Sequence, residues 1–129
     1  MNPRATLGLV AGALSVVTSA AHAWAGWPPF HHALHDSGVA GDVIAGLRVA
    51  WYLGSVAMLT FGILTLLAAI RVLRDQPITF EAVQVVGVAY FLFGMVALLT
   101  QTLNIHFLLF IVTGLLTGAF GFWHFLLGR

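Results

Sequence analysis

From Val49 to Ile70 the chain reads VAWYLGSVAMLTFGILTLLAAI, twenty-two residues without one charged side chain. A helix rises about 1.5 Å per residue, so about 20 apolar residues cross the roughly 30 Å of hydrocarbon in a bilayer. This run is therefore long enough to span a membrane, and it has company. Apolar segments of spanning length are expected at about 5–25, 43–70, 80–103 and 105–127. Backbone N–H and C=O groups find no water in hydrocarbon and must bond within their own segment, which favours helices over an open sheet. The expected fold is an all-α, integral membrane four-helix bundle in a single domain, residues 1–129.

Composition agrees. The side chains are 60% hydrophobic and 7% charged, and the mean hydropathy is +1.01. A soluble domain carries about a quarter charged residues. The net charge of +1 points to no nucleic acid and to no polybasic lipid-binding arm. With no cysteine, disulfides, thiolate catalysis, iron–sulfur clusters and thiolate zinc sites are excluded. All five basic residues are arginine, so no lysine can serve as a Schiff base or general base.

Arg4, Arg71, Arg74 and Arg129 fall at the N-terminus, in the second connection and at the C-terminus, which four crossings place on one side. The positive-inside rule makes that side cytoplasmic, with both termini on it, as in a bacterial inner-membrane protein. Only Arg48 falls on the other side. In the connection RVLRDQPITFEA, Thr79 is the expected N-cap of the third span and Glu81 suits its first turn. The N-terminal run ending in Ala21-His22-Ala23 also has the pattern of a secretory signal peptide. Retention is the favoured reading, because Gly8, Gly12, Ser15, Ser19 and His22 form one helical stripe that a cleaved leader does not need. Comparable packing stripes are Gly54, Met58 and Gly62; Gly87, Tyr90, Gly94 and Gln101; and Gly114, Gly118 and Gly121.

The topology gathers polar residues at one end. His22, His31, His32, His35, Asp36, Asp42, Arg48, Gln101, Asn104 and His106 all fall on the outer side, four of them in the connection Gly26–Gly41. There, WPPFHHALHDSG is expected to make a short interfacial helix, with proline in its first turn and Gly38 ending it. His31 and His35 would share one face at i, i+4, and His32 and Asp36 another. Such a pair, completed by His22 and His106, is a candidate site for a divalent transition metal: zinc, copper or iron. His22 and His106 are also the best-placed axial pair for one haem. A third arrangement, His35 beside Asp36 with Arg48, is a candidate acid–base pocket for a lipid or quinone substrate. The spans hold no ionisable residue near their centres, which disfavours an ion pathway. The leading expectation is a non-enzymatic subunit or accessory of a membrane complex, or a small-ligand binder. Its partners would be the bilayer and other membrane subunits or further copies of itself.

Overall fold

The computed structural model describes residues 2–100 and 106–127, the side chains at 124 and 127 excepted, and every regular element among them is helical. The expected Gln101, Asn104 and Arg129, and the side chain of His124, lie outside the described residues. Helix α1 spans Pro3–Ala21. Its start is fixed by Asn2, whose side-chain oxygen accepts from Arg4 N at 3.1 Å and Ala5 N at 3.4 Å, with Pro3 in the first turn where its missing N–H costs nothing. One wide π-type turn, His22–Gly26, joins α1 to α2, Trp27–Asp36. The three together run 34 residues from Pro3 to Asp36.

The first span was expected to stop near residue 25, but the helix continues through Pro28 and Pro29 to Asp36. A proline ring normally clashes with a carbonyl one turn back. The π turn widens the helix just before the two rings and re-routes the local ladder. The helix stops where Gly38 takes φ 72°, with Gly38 N bonded to His35 O at 3.0 Å and Val39 N to Leu34 O at 3.1 Å, a Schellman closure.

Helix α3, Gly41–Leu73, is 33 residues long, about 50 Å by helical rise. It closes in the same way, but on Asp75, a non-glycine residue at φ 50°, with Gln76 N bonded to Arg71 O at 3.0 Å. Helix α4 is Glu81–Thr100, α5 His106–Gly121 and α6 the single turn and a half Trp123–Leu127. The first helical bond of α4 runs from Gln84 N to Phe80 O at 2.9 Å, so Phe80, not the expected Thr79, holds the cap position. Packing sets this start: the Phe80 ring lies 5.6 Å edge-on from Phe120, and the Arg4 guanidinium stands 3.8 Å from its centroid.

The four long helices form a ring in which α1 packs on α3 and α5, and α4 packs on α5 and more lightly on α3. Pro3–Asp36, Gly41–Leu73 and Glu81–Thr100 are long and apolar enough to cross a membrane; His106–Gly121 is apolar but 16 residues long. Small residues hold the neighbours together. A Cβ on Gly12 would meet Leu66, one on Gly62 would meet Val16, and one on Gly87 would meet the backbone of Gly118. At one end of the bundle Ala68, Ala69, Val83 and Phe120 make a buried cluster; halfway along, Met58, Val86 and Tyr90 make another. Val10, Val17, Leu53, Val56, Leu92, Val96, Leu99 and Leu115 face outward, as a bilayer solvent requires.

Candidate functional site at the histidine-bearing end

Four hydroxyls and one imidazole stitch the interior, and Ser15, Ser19, His22 and Tyr90 among them lie on the stripes expected from sequence. Ser15 Oγ donates to the carbonyl of Met58 at 3.0 Å and meets the hydroxyl of Tyr90, which also reaches Met58 O at 3.3 Å. One turn on, Ser19 Oγ donates to the carbonyl of Ser55 at 2.7 Å. One more turn on, His22 Nδ1 lies 2.8 Å from Ser55 Oγ. Ser55 Oγ also lies 3.2 Å from Trp51 O, the carbonyl one turn back on its own helix. Polar groups in an apolar interior are costly unless bonded, and here each is bonded to the neighbouring helix.

Trp51 organises the end of the bundle. His22 stacks on it at 4.0 Å and 8°, and Phe30 stacks at 5.0 Å and 21°. Its indole Nε1 donates to the carbonyl of His22 at 2.9 Å, inside the π turn. Gly26 is required at the next contact, since a Cβ there would stand 2.7 Å from the Trp51 ring. Trp27, buried, closes the cluster 5.9 Å from Trp51.

Beyond this cluster α2 and the start of α3 continue as a hairpin. Helix α4 ends ten residues past Tyr90, about 15 Å by helical rise. The same rise from Ser15 and Met58, which touch Tyr90, reaches Ala25 and Arg48. Everything from Trp27 to Leu47 therefore extends past the described end of α4.

The expected site residues are distributed as follows. His22 is turned into the bundle and committed to Trp51 and Ser55. His31 packs 5.8 Å from Trp27 and 5.9 Å from His32. His35 Nδ1 and Asp36 Oδ1 are 3.9 Å apart, with side chains 76% and 79% exposed, where water screens the pair. Arg48 is exposed and stands 5.8 Å over the Tyr52 ring, with no carboxylate partner among the described residues. His106 opens α5 and is exposed. Among the described residues no group of three or more potential metal ligands comes together. The structure thus brings together His22, Trp51 and Ser55, and among the described residues no ion pair joins Arg48 to Asp36. Sequence reasoning missed Trp51 and Ser55, which are one and two helical turns from Arg48 and carry no signal until His22 is placed against them. The comparisons with protein-family models, curated proteins and solved structures find no match for this chain.

Proposed function

We propose that the chain is a four-span protein of a bacterial inner membrane, with both termini cytoplasmic, acting as a non-enzymatic subunit or accessory of a larger membrane complex. The observation that carries this reading is the division of polar groups. Inside the bundle, Ser15, Ser19, His22, Ser55 and Tyr90 are bonded helix to helix. Outside it, His31, His32, His35, Asp36 and Asp42 decorate a hairpin arm past the end of α4. An interior bonded in this way favours a scaffold, and an arm reaching out of the hydrocarbon is placed to meet another subunit. Arg71 and Arg74 at the far end of α3 supply the positive-inside bias for the proposed orientation.

The test is solubilisation from native membranes in mild detergent, followed by cross-linking from single cysteines placed on the arm at Ser37 and Val39. The expected result is a defined cross-linked species, either with another membrane protein or with a second copy. A lone monomer, with no cross-link from either position, contradicts the reading.

A further inference from the structure

We propose that the crevice between α1 and α3 on the histidine-bearing side binds one anionic phospholipid, its acyl chain in the crevice and its phosphate on Arg48. This rests on the membrane reading above. The crevice has a volume of about 330 Å³ and is lined by Val16, Ala20, Ala23, Val56 and Leu59, with Ser19 and Ser55 at its floor. Those two hydroxyls are already bonded to α3 carbonyls, so the surface they present is apolar. Trp24, 83% exposed, and Tyr52, 38% exposed, stand at its mouth. Aromatic side chains of this kind sit at headgroup depth. One helical turn beyond Tyr52, on the same face, comes Arg48, 5.8 Å over the Tyr52 ring.

The order along the helix is therefore hydrocarbon wall, aromatic rim, guanidinium, which is the order of an acyl chain, glycerol backbone and phosphate. Depth agrees. Met58 lies beside Tyr90, the middle of α4. Arg48 is ten residues away, about 15 Å by helical rise, which is half the hydrocarbon thickness. Charge completes the match. Arg48 is the lone arginine on this side of the proposed topology, against the positive-inside bias. It has no carboxylate partner among the described residues. A guanidinium with free donors offers phosphate a bidentate contact that a choline headgroup partly neutralises.

The experiment reconstitutes the full chain in phosphatidylcholine vesicles containing either brominated phosphatidylglycerol or brominated phosphatidylcholine. It reads the tryptophan quenching that disappears in W24F. Phosphatidylglycerol should be favoured about fivefold, the worth of one cation at an anionic surface. R48Q should abolish that preference while leaving quenching itself, and A20F, which fills the crevice, should lower quenching by both lipids. Excess inorganic phosphate should displace neither. Equal quenching by the two lipids, a preference that survives R48Q, or displacement by free phosphate would overturn the lipid site. Failure of the chain to enter vesicles would instead overturn the membrane reading on which it depends.

Discussion

The contact between α4 and α5 makes a sharp demand on two glycines that look equivalent in sequence. A Cβ built on Gly87 would stand 2.6 Å from the backbone N of Gly118 and 2.8 Å from its Cα, about 0.8 Å short of the 3.4 Å at which ordinary contact begins. Neither atom is the end of a flexible side chain, so Gly87→Ala must push the two helices apart. Overpacking of this kind costs about 1–3 kcal/mol. A Cβ on Gly118 meets nothing within 4 Å, so Gly118→Ala carries no such cost. Both substitutions gain the same helix propensity, at most about 1 kcal/mol, which cancels in the comparison. G87A should therefore be less stable than G118A by about 1–3 kcal/mol, roughly a 5- to 150-fold difference in the unfolding constant. The assay is reversible unfolding in mixed micelles of rising dodecyl sulfate fraction, followed by near-ultraviolet circular dichroism. Equal stability of the two variants, or a larger loss for G118A, would refute the close approach of α4 and α5 described above.

Four further outcomes follow from the same structure. Tyr90→Phe and Ser15→Ala should each destabilise the bundle by about 0.5–1.5 kcal/mol, and a double-mutant cycle should show them coupled, because both hydroxyls share the Met58 carbonyl; additivity would remove that shared bond. Asp75→Gly should stabilise the protein by up to about 1 kcal/mol, since φ 50° is strained for any residue with a Cβ, and a lower unfolding midpoint would count against the αL closure of α3. Arg4→Gln should loosen the start of α4 by removing the cation from the Phe80 ring, seen as faster amide exchange across Glu81–Gln84; unchanged exchange would argue that the contact holds nothing. Replacing His35 and Asp36 together by alanine should leave the unfolding midpoint where it was, because their pair is exposed at 3.9 Å, and a clear loss would reveal a buried role for the arm.

The bundle interior was legible because packing in an apolar solvent leaves a periodic trace. Gly8, Gly12, Ser15, Ser19 and His22 repeat on one helical face, and the first four are buried against α3 and α5. Tyr90 and Gly94 are found buried on the expected face of α4, and Gly114 on that of α5. What sequence could not show was how far the first helix runs. Gly26, Pro28 and Pro29 read as a break, and only the π turn, held by Trp51 on the His22 carbonyl, lets the helix pass them. Spacing alone likewise suggested that His22 and His106 could face a common vestibule with His31 and His35. The direction of His22 is decided by a tertiary partner, the flat face of Trp51, twenty-nine residues along the chain. Arg4 has the same lesson: by position it is a topology signal, and by contact it anchors Phe80.

The central claim is that the His-bearing arm and the Arg71–Arg74 connection lie on opposite faces of a bilayer, and the absence of cysteine makes it directly measurable. Single cysteines at Ser37, beyond α2, and at Gln76, between α3 and α4, are labelled in intact cells with a membrane-impermeant maleimide. The expected result is labelling of S37C in intact cells and of Q76C only after permeabilisation. Labelling of both positions from the same side would contradict the four-span topology.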